Sequence, residues 1–148
     1  MRRLLPWIPV LFWMAIIFTA STDGFSAAHT SRFIEPLLLR LFPHISAQAL
    51  DTIHLCIRKS AHLAEYAILG GLLWLALPEY KVGPEFADWG RAGMAILVAT
   101  GYAATDEFHQ LFVPSRGASG HDVLIDACGA SVAVILLCLC NRRGVRQG

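Results

Sequence analysis

Apolar residues run almost unbroken over positions 4–20, return over 56–77 and again over 92–113, and end the chain's long segments at 122–140. Each run approaches or exceeds the roughly 20 residues a helix needs to cross a bilayer. Four spans are therefore expected, forming one all-α domain over residues 1–148. A different pattern lies between the first two. Arg32-Phe33-Ile34-Glu35-Pro36-Leu37-Leu38-Leu39-Arg40-Leu41-Phe42-Pro43 mixes charges and apolar residues at helical spacing, is bounded by prolines and is too short to span. It suits either an amphipathic helix at the membrane surface, with 45–55 as a second such piece, or a structured loop that caps the bundle. Two prolines and several charges over 78–85 are expected to stop the second span. Residues 114–120 read as a turn, and Ser119, three residues before Asp122, as the cap of the last helix.

The spans are not uniformly apolar. Arg58-Lys59-Ser60-Ala61-His62-Leu63-Ala64-Glu65-Tyr66 runs without a break into the second apolar segment. Helical geometry puts Lys59, His62, Glu65 and Tyr66 within about a third of the circumference, descending about 10 Å into the apolar layer. The third span ends in Thr105-Asp106-Glu107-Phe108-His109-Gln110, and the fourth begins with Asp122 and Asp126 one turn apart, followed by the small residues Gly129 and Ala133. With four spans, these three helix ends fall at one membrane boundary. Lys59, His62, Glu65, Asp106, Glu107, Gln110, Arg116, Asp122 and Asp126 are therefore expected to converge as a ligand-binding site. An ionisable side chain in a membrane helix costs about 2.5–3.5 kcal/mol on insertion scales, so such a group implies partners or a water-filled cavity.

Composition agrees with this reading. The chain is 55% hydrophobic and only 16% charged, against about 25% charged in ordinary soluble domains. A net charge of +1 provides no field to collect nucleic acid, so that partner class is excluded. The four cysteines form no metal-type or CxxC spacing and are expected as buried apolar residues. Trp7, Trp13, Trp74 and Trp89 are expected as interfacial or lipid-facing anchors. Arg2, Arg3, Lys81, Arg91, Arg142, Arg143 and Arg146 on one side outnumber Arg32, Arg40, Arg58, Lys59 and Arg116 on the other. The bias predicts a multi-pass protein of the inner membrane with both termini in the cytoplasm.

Several of these residues form an ordered set. Lys59-x-x-His62-x-x-Glu65-Tyr66, then Asp106-Glu107-x-x-Gln110 leading to Pro114-x-Arg116, then Asp122-Val123-x-x-Asp126-x-x-Gly129 resembles the VanZ-like family of small membrane proteins. The resemblance extends over nearly the whole chain. Ser21 matches a serine pair often found there, with Thr22 replacing the second serine; Asp126 stands where that family often has Asn. The resemblance implies a protein of the bacterial envelope, and its founding member is associated with low-level resistance to the glycopeptide teicoplanin.

Three chemistries suit the set. A charged cavity open to the outer leaflet can bind or handle an amphiphilic ligand, a membrane lipid or a lipoglycopeptide, without turnover. Alternatively, Lys59 and Arg116 can hold a lipid phosphate while His62, Glu65 and Asp126 serve as candidate catalytic groups of a hydrolase. A divalent metal is the one cofactor left open, with His62, Glu65, Asp106, Glu107, His109 and Asp126 as hard oxygen and imidazole donors. His109 stands about 60° from Asp106 on the helical wheel and is expected to face elsewhere. Against all three stands a structural reading, in which buried ion pairs only fix helix register.

Overall fold

The computed structural model describes residues 4–22, 27–78, 83–113 and 119–147, and among them it contains five helices and no strand. These are α1 (Trp7–Ala20), α2 (Ala27–Leu41), α3 (Ala47–Ala76), α4 (Gly83–Gln110) and α5 (Gly120–Gln147). The long helices α3, α4 and α5 pack on one another, while α1 and α2 lie against α3.

Local chemistry sets the helix ends. The Ser46 hydroxyl accepts a bond from the Ala49 amide at 3.2 Å and starts α3. Nothing between Ala47 and Ala76 breaks the helix, so 45–55 is not a separate surface piece but mostly the first turns of α3. α2 begins before Arg32, and Pro36 sits inside it, where the sequence pattern suggests a boundary. Likewise α4 starts at Gly83 and not near residue 92. Pro84 falls in its first turn, where a missing amide proton breaks no intrahelical bond. At the start of α5, Ser119 accepts from the Asp122 amide at 2.8 Å through its carbonyl, and from the His121 amide at 3.3 Å through its hydroxyl. This is the cap expected from the sequence.

The bundle is built with its polar side inward. Buried positions on α4 are Arg91, Ala92, Ala95, Ala99, Ala103, Asp106, Glu107 and Gln110, a stripe of small residues between polar ends. The same helix exposes Leu97, Val98 and Phe108, and nearby α5 exposes Leu124, Val132 and Leu136. Exposed large apolar side chains around a polar and small-residue interior suit a lipid solvent. The segment Gly120–Asn141 of α5 is long and apolar enough to cross a membrane, with a mean hydropathy of 2.5. Among the described residues it is the one helix that meets both conditions; α1 is apolar but shorter.

Close contact between α3 and α5 depends on two glycines. A Cβ on Gly129 would collide with the Leu63 carbonyl, and one on Gly70 would stand 2.9 Å from the Ala130 Cα. The backbones touch because no side chain separates them. Val134 and Cys138 continue the buried face of α5, while Ala133 is only half-buried.

Hydrogen bonds dock α1 across α3 and α4. The Trp13 indole donates to the Glu65 carbonyl at 2.9 Å, and the Tyr102 hydroxyl to the Met14 carbonyl at 2.7 Å. Trp13 is thus a packing residue and not a lipid anchor. So is Trp74, which is buried beneath the Arg91 guanidinium at 4.3 Å from ring centroid to Cζ. Arg91, expected as a loop charge, is itself buried and also donates to the Leu75 carbonyl at 3.2 Å. Of the cysteines only Cys138 is buried; Cys56, Cys128 and Cys140 are exposed.

Candidate functional site

Asp122 lies in the first turn of α5, yet its side chain is wholly buried. The reason is on α3: Arg58 donates to its Oδ2 at 3.0 Å, and Lys59 pairs with its Oδ1. Arg58 is not among the residues the sequence pattern assigns to the site, although it precedes His62 by four residues and so shares that residue's helix face.

One turn further along α5, Asp126 is also wholly buried, and its Oδ1 lies 3.3 Å from His62 Nδ1. The distance is that of an ion pair, but the angles make no hydrogen bond, and both Asp126 oxygens and His62 Nδ1 remain without a hydrogen-bond partner. Tyr66, one turn beyond His62, is buried with its hydroxyl unpartnered.

From α4 come Asp106, Glu107 and Gln110, all buried. The Gln110 amide donates to Asp106 Oδ2 at 3.1 Å, and Glu107 Oε2 accepts from the Ser119 amide at 2.8 Å. Glu107 thereby ties the end of α4 to the start of α5. Asp106 Oδ1 and Glu107 Oε1 have no hydrogen-bond partner. One ligand atom each from His62, Glu107 and Asp122 lies within 4.8 Å of the others.

The structure therefore brings Lys59, His62, Glu107, Asp122 and Asp126 together, with Asp106 and Gln110 paired on α4 and Arg58 added. Glu65 is half-buried, and its backbone faces α1 through the Trp13 bond. Arg116 lies outside the described residues. His109 does face elsewhere, as its wheel position required: its Nδ1 is 3.2 Å from the Ser21 hydroxyl, and Phe18 packs on its ring at 4.6 Å. Ser21 thus helps dock α1 and does not reach the acids.

The electrostatics are demanding. Two unit charges 4 Å apart interact by about 4 kcal/mol at an effective dielectric near 20. Asp122 is compensated by two cations. Asp106, Glu107 and Asp126 have no fixed cation bonded to them among the described residues. An acid-rich cluster with unpartnered oxygens can accept donors from hydroxyl or ammonium groups, or coordinate a cation. The histidine and aspartate pair can also carry a proton.

A helical membrane protein with a buried cluster of acids and bases at one end of its bundle is the class these features define. The profile of the VanZ/LLP1 family matches residues 6–141, and the chain belongs to that family. No curated protein and no solved structure matches it.

Proposed function

We propose that α1, α3, α4 and α5 cross the inner membrane with both chain termini in the cytoplasm, and that the charged cluster binds or handles an amphiphilic envelope ligand. The ligand is a lipid or a lipoglycopeptide whose headgroup enters the cluster while its chain stays in the outer leaflet. A contribution to teicoplanin resistance is part of this reading, through the resemblance to the VanZ-like family.

One observation carries it: buried carboxylates with unpartnered oxygens sit beside Arg58 and Lys59, whose side chains keep 32% and 27% exposure. Packing alone gains nothing from orphaned polar atoms, each of which costs about 1–3 kcal/mol. A headgroup offers them partners. The cations can meet a phosphate while the acids accept from sugar hydroxyls or an amine.

Native mass spectrometry of the purified chain tests this reading, with polyprenyl phosphates, diphosphates and lipid-linked sugars as probes, each with magnesium and with chelator. One intact lipid retained by the wild type and lost in Lys59→Ala is the expected result. Retention of none of the panel, or equal retention in Lys59→Ala, rejects it.

The contact between His62 and Asp126 favours a second reading, a lipid-phosphate hydrolase. In it, water adds to phosphorus, the bond from phosphorus to the leaving oxygen breaks, and the imidazole moves the proton. A released lipid lighter by phosphate or headgroup, absent in His62→Ala, is its signature in the same experiment.

A further inference from the structure

Among the described residues, the cluster holds four buried carboxylates, Asp106, Glu107, Asp122 and Asp126. The fixed cations in contact with them among the described residues are Arg58 and Lys59, and both pair with Asp122. With His62 neutral, the acids outnumber the bases by two charges among the described residues. We propose that His62, Glu107 and Asp122, joined by Asp126, form a binding site for one divalent cation of the manganese or zinc class.

Geometry supports the ligand set. The donor atoms of His62, Glu107 and Asp122 already lie within 4.8 Å of one another. Donors bonded to one ion at about 2.0–2.2 Å stand at most about 4.4 Å apart, so the three atoms are close to the spacing that a common ion needs. Asp126 Oδ1 stands 3.3 Å from His62 Nδ1, close to the roughly 3 Å that separates adjacent ligands at right angles on one ion. Helices α3, α4 and α5 each supply a donor, so the ion bridges the three elements that form the bundle.

A separate observation points to a ligand at the same place. Buried Glu107 Oε1 has no hydrogen-bond partner, His62 Nδ1 has only the 3.3 Å ion contact to Asp126 Oδ1, and Asp126 Oδ2 has none. Their residues are 5%, 6% and 0% exposed. Asp122 has lone pairs to spare for a shared role, since an ionised carboxylate accepts at about four positions and the two α3 cations do not exhaust them. Imidazole with carboxylates is a donor set for zinc or manganese, and the two-charge surplus is what such an ion neutralises.

The test uses the full chain in detergent, stripped with chelator and titrated with manganese without added lipid. Loss of the free-ion electron paramagnetic resonance signal reads binding, and zinc serves as competitor. One ion per chain is expected, with affinity falling about tenfold or more in Glu107→Gln and Asp126→Asn. Asp88→Asn, at the other end of the bundle beside Asn141, should bind as the wild type does. Nitrogen-14 couplings on the bound manganese report His62 coordination in the wild type, so the result does not depend on variants that fail to fold. Substoichiometric binding, unchanged affinity in both variants that fold, or absent nitrogen couplings overturns the site. Lipid retention is read separately, so either proposal can fail alone.

Discussion

Gly129 lets α5 pass so close to α3 that the Leu63 carbonyl occupies the space a Cβ would need. The contact lies between the turns that carry His62 and Asp126 and those that carry Tyr66 and Ala130. It fixes the depth and rotation of the two helices relative to each other, and so decides which acid meets which base.

Gly129→Ala should therefore lower the fraction of monodisperse protein surviving a heat step in detergent. The loss should amount to about 2 kcal/mol or more, within the range for overpacking a close contact. Gly101→Ala provides the contrast. Nothing beyond the adjacent backbone of its own helix lies within 4 Å of the point its new methyl would occupy, so the substitution should be neutral or stabilise by up to about 1 kcal/mol through helix propensity. Equal effects at the two glycines would deny the close approach.

Asp122 is the buried partner of two cations, and removing it leaves both with no carboxylate. Asp122→Asn should destabilise by about 3–5 kcal/mol, as expected for breaking a buried pair. Lys59→Met should cost less, because Arg58 still compensates the carboxylate. Thermal unfolding of the single and double variants gives a coupling energy between Lys59 and Asp122. A coupling near zero would mean the pairing contributes nothing to the fold.

Much of this site is legible in the sequence alone. The charges on α3, α4 and α5 recur at three- and four-residue spacing, so each helix announces its polar face, and successive helices that reverse direction bring those faces to one end. Pairing is not legible. Whether Lys59 meets Glu65 on its own helix or Asp122 on α5 depends on helix rotation, and rotation is set by the glycine contacts at Gly70 and Gly129. Nor is it legible whether Arg58 joins Lys59, because two adjacent cations reach one carboxylate only where the partner helix passes between their directions. The expectations for Trp13, Trp74 and Arg91 fail for a related reason. An amphipathic side chain near a helix end looks the same in sequence whether it faces lipid or a neighbouring helix.

Arg91 and Trp74 hold the other end of the bundle. Arg91→Leu should destabilise by about 1–2 kcal/mol, losing a desolvated cation and ring contact together with the bond to the Leu75 carbonyl. Arg91→Lys should recover part of this through the charge over the ring. Neither substitution should alter manganese or lipid binding, because the contact lies at the end of α3 away from His62. Impaired ligand binding in a well-folded Arg91→Leu protein would mean that the two ends are coupled.

Topology follows from which positive charges remain to be sorted by the membrane. Arg58 and Lys59 are both paired with Asp122, and Arg91 is buried against Trp74, so none of the three acts as a free loop charge. Their withdrawal leaves Arg32, Arg40 and Arg116 on one side against Arg2, Arg3, Lys81 and the Arg142, Arg143 and Arg146 group on the other. The second set is the larger, so under the proposed four-span topology the positive-inside rule predicts both termini in the cytoplasm. A fluorescent protein that matures only in the cytoplasm, fused after Gly148, should fluoresce, and an alkaline phosphatase at the same point should be inactive. A phosphatase fused within the 23–26 segment should be active. The reverse pattern would put the acid cluster on the cytoplasmic side, where an outer-leaflet lipid or a drug arriving from outside could not reach it, and would reject the envelope-ligand reading whatever the cluster binds in detergent.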